Sequence, residues 1–144
     1  MRESLWMIYM TRAIEQTAVF ESTPSALYEL FMNSAKHSAA TGAPARISRK
    51  VGGKWSAHSG MIGGKNLALV PNKMIVQAWR SAGWKTTDPD SVLVVRFERA
   101  PGGARVHLSH VGVPQHDHKG VTQGWRKYYW KPWKKYLAAQ KRSA

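Results

Sequence analysis

Six histidines, eight carboxylates and no cysteine make up the reactive side chains of this 144-residue chain. Without cysteine there is no disulfide framework, no thiolate zinc site and no cysteine nucleophile. The densest cluster is Gln115-His116-Asp117-His118. It has metal-binding side chains but lacks a third convincing ligand, and Asp117 and His118 equally suit the start of a helix. His107 and His110 are three apart, which on a strand sends them to opposite faces and spoils shared coordination. Acid–base catalysis needs two titratable groups around one substrate, and no spacing of the acids sets two on one recognisable face. No strand–turn–helix nucleophile elbow occurs. Gly52-Gly53 and Gly63-Gly64 lack the phosphate-loop pattern and read as sheet bulges or bends. No catalytic residue, metal or cofactor is assigned, and a binding role is favoured over catalysis.

The elements that must position these groups are legible from periodicity and turn chemistry. Ala13–Phe20 reads as a first strand. Thr23 is a natural N-cap and Pro24 fits the first helical position, with Leu27, Leu30 and Phe31 on one face. A second short helix runs from near Asn33 to Gly42. From Ala45 to Val113, strands around Trp55, Met61–Val70, Met74–Arg80, Val92–Glu98 and Arg105–Val111 alternate with Gly, Pro and Asn turns, which implies an antiparallel meander. From Val121 to Lys141 a helical projection gathers Trp125, Tyr128, Tyr129, Pro132, Trp133, Tyr136 and Ala139 on one side, with lysines on the other. Trp130 falls off that stripe, as a candidate for surface contact. Pro132 should bend the helix. So wide an aromatic face needs the curved sheet to cover it, so the expected fold class is α+β, a sheet wrapped around a long C-terminal helix.

Length permits one domain, read as residues 11–144, with residues 1–10 as an N-terminal extension because Met10 offers a second start. The apolar run Leu5–Met10 is too short for a bilayer span of about 20 residues or a signal core of roughly 7–15, so cytoplasmic localisation is expected. Twenty-two Lys and Arg against eight Asp and Glu give a net charge of +14 and a pI near 10.5. That balance favours polyanions or acidic partners. Lys127, Lys131, Lys134 and Lys135 form the candidate basic surface, within a segment from His118 to Ala144 that holds eight Lys and Arg and no acid.

The chain resembles the Hsp90-ATPase-activator-homologue group of the START-like, Bet v 1-like (SRPBCC) superfamily. The resemblance rests on Thr41–Ser48 with Gly52-Gly53-Lys54-Trp55-Ser56, on Gly60–Leu67 and Ile75–Arg80, and on His110-Val111-Gly112-Val113-Pro114. Gly124-Trp125, Tyr129-Trp130-Lys131-Pro132 and Tyr136-Leu137 complete it, in order from Ile14 to Ala138. It implies a helix-grip fold with a hydrophobic cavity between helix and sheet, serving ends that differ across the superfamily. Two departures stand out: lysine at Lys131, Lys134 and Lys135 where acids are mixed in, and Trp133 where leucine is usual, which should shrink the cavity.

Strand parity then suggests the cavity lining. Ile75, Gln77 and Trp79 share one face, and Leu108 and His110 share another. Trp55, Trp79, Trp125, Tyr129 and Trp133 would supply apolar walls, with Gln77 and His110 orienting a polar end. An inward His110 needs a partner, either Gln77 or a ligand oxygen, although a structural histidine satisfied within the protein is the favoured reading. The expected partner is a small apolar or amphipathic molecule. The alternatives are a basic module binding nucleic acid or an acidic protein, including a chaperone, and a cyclase- or hydrolase-like enzyme in the same cavity. No integral membrane association is expected, non-specific polyanion binding comes with the charge, and a homodimer is allowed.

Overall fold

The structure, a computed structural model, describes residues 11–143; residues 1–10, and with them the expected extension, lie outside the described residues. Strand β1 (Ile14–Phe20) is followed by helices α1 (Pro24–Met32) and α2 (Ser34–Thr41). Strands β2 (Arg46–Ile47), β3 (Lys54–Ala57), β4 (Ile62–Val70), β5 (Met74–Ser81), β6 (Ser91–Ala100) and β7 (Gly103–Val111) come next. The chain closes with α3 (Gln115–Trp125), a π-helical turn (Arg126–Trp130) and α4 (Lys131–Ser143). All seven strands form one curved antiparallel sheet in the order β1-β7-β6-β5-β4-β3-β2. The last six follow chain order as a meander, and β1 pairs with β7. The two short helices therefore carry the chain from one sheet edge to the other. No helix among the described residues is long and apolar enough to cross a membrane.

Local chemistry sets the early boundaries as expected. The Ala26 N–H donates to Thr23 Oγ1 at 3.1 Å, and the Lys36 N–H donates to Asn33 Oδ1 at 3.0 Å, capping α1 and α2. Gly42 ends α2 in the left-handed conformation at φ 80, where a Cβ would be strained.

Of the expected bulges or bends, Gly52-Gly53 makes a turn before β3, while Gly63-Gly64 pairs in register on both sides. The register shift in β4 falls between Asn66 and Ala68 instead. Gly64 marks a close approach: a Cβ there would lie 1.8 Å from the Ala78 carbonyl oxygen and 3.1 Å from Trp55 Nε1. Because the glycine leaves that space open, the Trp55 indole reaches across β4 and donates to the Ala78 carbonyl at 3.2 Å.

The closing helix departs from its simple projection. The Lys131 N–H donates to the Arg126 carbonyl, five residues back, so the turn before Pro132 is widened. A proline ring crowds the carbonyl four residues earlier, and a wider turn relieves that crowding without a sharp break. The wider turn also rotates the faces. Trp130, expected outside, is buried at 6% exposure, and Tyr128, expected inside, is 49% exposed. Tyr136 is half-buried and Ala139 exposed. The Trp130 Nε1 donates to Gln16 Oε1 at 2.8 Å while Gln16 Nε2 donates to the Thr122 carbonyl at 2.8 Å, fastening the helix to β1.

Candidate functional site

Trp133 is fully buried, with the rings of Trp130, Phe20 and Phe31 at 5.5, 5.7 and 6.3 Å from its own. An aromatic of this size removes about 150–250 Å² from water, roughly 4–6 kcal/mol at about 25 cal/mol per Å². These rings fill the space between α4 and the sheet where a cavity was expected. Open space lies at the margins instead, in a hollow of about 430 Å³ between the end of β1 and α4 and, more apolar, beside α3 and the π turn. A groove of about 410 Å³ runs between them and the ends of β4 and β5, walled by Trp79, Val121, Trp125 and Tyr129. Met61 and Tyr128, 57% and 49% exposed, line it as well. Gly120 and Gly124, lacking side chains, leave the helix wall low.

Of the residues expected to line a cavity, Trp79, Trp125 and Tyr129 come together here. Ile75, Leu108 and Trp133 are in the core, and Trp55 is buried under its bond to β5. Lys127, Lys131, Lys134 and Lys135 are all exposed, with Lys127 Nζ 5.2 Å over the Tyr128 ring and Lys134 Nζ 5.9 Å over Phe20.

His110 and Gln77 do not meet. Gln77 Nε2 donates to Asn66 Oδ1 at 3.0 Å, and Asn66 Nδ2 donates to the carbonyls of Ser48 and Lys50, tying the β2–β3 loop to the β4 bulge. The Trp125 indole can only donate, so its 3.1 Å bond to His110 Nδ1 makes that nitrogen an acceptor and puts the imidazole proton on Nε2. Nε2 donates to Ser91 Oγ at 2.8 Å, and the Ser91 hydroxyl in turn donates to the Trp79 carbonyl at 2.7 Å. The direction of that chain rules out His110 as a base for Ser91. Burial holds the His110 pKa down to about 3, so the ring is neutral and structural.

The histidine bonded to a tyrosine is one that the sequence reading missed. His37 Nδ1 donates to the Phe31 carbonyl at 2.8 Å and its Nε2 accepts from the Tyr129 hydroxyl at 3.0 Å. Burial lowers its pKa to about 4 and raises that of Tyr129. His58, also missed, lines the groove with its ring 5.2 Å from Tyr129 and 5.7 Å from Tyr128. Its turn, Ala57–Gly60, carries no motif that singles the histidine out. His116 and His118 diverge, one to Asp88 Oδ2 at 2.8 Å and the other to the Arg12 carbonyl at 2.7 Å. Asp117 Oδ2 accepts from Trp84 Nε1 at 2.8 Å. Among the described residues no three His, Asp or Glu side chains gather as a metal site.

This architecture recurs in known proteins. An HSP90 activator from Plasmodium falciparum superposes with a TM-score of 0.72 at 23% identity, over 83% of this chain and 91% of that one. A protein from Mesorhizobium loti does so with 0.76 at 18% identity, over 89% and 98%. These two likenesses establish the helix-grip fold. The human activator of 90 kDa heat shock protein ATPase homolog 1 is 30% identical over 113 residues, 76% of this chain and 32% of that protein. The homolog from Dictyostelium discoideum is 26% identical over 117 residues, 81% and 30%. The chain thus spans about a third of the length of the curated relatives it matches. Residues 21–138, about four-fifths of the chain, match the family described as Activator of Hsp90 ATPase homolog 1-like protein, and to that family this chain belongs.

Proposed function

We propose that this protein binds a small apolar or amphipathic molecule in the groove between α3, the π turn and the ends of β4 and β5, without converting it. The observation that carries this reading is the aromatic wall of Trp79, Trp125 and Tyr129 beside a rim of exposed apolar groups. Concave, mostly apolar space with few polar groups is what small-molecule sites share. The test is a titration with the uncharged fluorophore N-phenylnaphthylamine, comparing the native chain with Gly124→Leu. At Gly124 a Cβ meets only the Tyr128 ring, at 3.6 Å, and replacing a helical glycine favours the helix. The new side chain fills the groove while the fold is retained, so affinity is expected to fall at least about tenfold. Equal binding by both proteins would mean that the probe sits elsewhere and the reading is wrong.

A second reading is an acidic protein partner of the chaperone kind. The curated relatives are named as activators of an Hsp90 ATPase, and the charge pattern here supports an anionic surface opposite. Lys54 and Lys65 stand directly across from each other in β3 and β4, an arrangement that is destabilising without an anion nearby.

A further inference from the structure

His58 is the one groove-lining side chain whose buried nitrogen has no hydrogen-bond partner among the described residues: its Nε2 is out of solvent and unbonded. Buried polar atoms are normally satisfied, so an orphan beside an apolar groove needs a physical reason. The backbone fixes how this side chain is presented. His58 and Ser59 are held at φ 51 and 60, two consecutive non-glycine residues in the left-handed region, ahead of Gly60 at φ 85. The Gly60 N–H donates to the Ala57 carbonyl at 3.1 Å, so these φ values belong to the tight turn that joins β3 to β4, in which both central residues take positive φ. Here it sets the imidazole edge-on against Tyr128 and Tyr129. Of these two rings, Tyr129 is buried and anchored to His37, while Tyr128 is half-exposed.

We propose that His58 Nε2 anchors the polar end of the groove's ligand, and that this end is an uncharged oxygen, a hydroxyl or a carbonyl, reached when the Tyr128 ring moves aside. The inference rests on the groove reading above and adds the chemistry of the ligand's head. Burial lowers the His58 pKa, so the ring stays neutral and offers one donor and one acceptor. A hydroxyl can use either tautomer and a carbonyl can use the Nε2–H tautomer. A carboxylate would have to be desolvated against a neutral ring, with the Asp117 carboxylate lining the same groove. The apolar body of the ligand lies along Trp79, Trp125 and Val121.

Three probes of one shape separate the possibilities: β-naphthol, β-methylnaphthalene and β-naphthoate, titrated by tryptophan fluorescence. Native protein is expected to bind the naphthol about tenfold more tightly than the methyl analogue, the size of one hydrogen bond to an otherwise unpaired buried group. The naphthoate should bind more weakly than the naphthol. His58→Phe keeps the ring and removes the nitrogen, so the naphthol preference should vanish while methylnaphthalene still binds. If that variant does not fold, His58→Asn, native to a left-handed backbone, tests the same loss. In the native chain the ¹⁵N resonance of His58 Nε2 should shift with naphthol and not with methylnaphthalene. Equal affinity for naphthol and methylnaphthalene would overturn the anchor and leave the groove reading standing, as would a preference for naphthoate. No binding of methylnaphthalene or naphthol would overturn the groove reading itself.

Discussion

At the scale of single residues, the buried histidines are the telling positions. Strand parity alone puts His110 on the inner face with Leu108, and that is where it lies. Its partners were not legible, because Ser91 and Trp125 are distant in sequence and meet it only through β6 and the closing helix. The same holds for His37, whose ring nitrogens are taken by Phe31 and Tyr129. Both histidines are neutral in the folded protein, with pKa values of about 4 for His37 and about 3 for His110, while an unfolded histidine titrates near 6.5. As pH falls below 6.5 the unfolded chain takes up protons that the folded chain refuses, so stability falls. The loss is roughly 1.4 kcal/mol per pH unit for each histidine and ends near its folded pKa. Urea midpoints measured between pH 7 and 4.5 are expected to drop accordingly. His37→Gln should flatten the slope by about one histidine's share; an unchanged slope would mean that His37 is not the neutral, buried group described.

At the scale of elements, strands and caps followed from short-range chemistry, and two local features did not. A fixed 3.6-residue period cannot anticipate a π turn, which is why Trp130 and Tyr128 exchange inside and outside. Pro132 signalled a disturbance, but its form depends on what the neighbouring turn can pack against. The role of Gly64 was equally hidden, since the atoms that exclude a side chain there belong to β3 and β5. Gly64→Ala forces a Cβ against the Ala78 backbone and displaces the Trp55 bond, with no flexible group to give way. A loss of about 3 kcal/mol is expected in chemical denaturation. Gly83→Ala, with nothing within 4 Å of its Cβ, is the control and should change stability by less than about 0.5 kcal/mol.

At the scale of the whole molecule, charge and shape are separate resources. No acid occurs between Glu29 and Asp88, or after Asp117, so the net +14 is spread over long acid-free stretches rather than one helix. If an acidic protein is a partner, its association should slow and weaken steeply with salt, because exposed charges are screened beyond about 10 Å at 0.1 M. A polyglutamate peptide is a simple probe. Its salt dependence should become shallower when Lys127, Lys131 and Lys134 are reversed to glutamate, and an unchanged dependence would place the anion contact elsewhere. The groove variant Gly124→Leu should leave this binding untouched, since its side chain lies on the other resource.

The sequence by itself determined the α+β class, the meander, the helix starts at Thr23 and Asn33, and the inward parity of His110. Each depends on neighbours within a few residues or on a strict period. Tertiary structure alone decided where space remained. Trp133, Trp130, Phe20 and Phe31 converge from four elements to fill the centre, and the glycines of α3 leave the groove at its side. Which polar groups found partners was decided the same way. Hydrogen bonds such as those of His110 and Gln77 join residues on different elements, so an unpaired atom such as His58 Nε2 becomes visible only once every neighbour is in place.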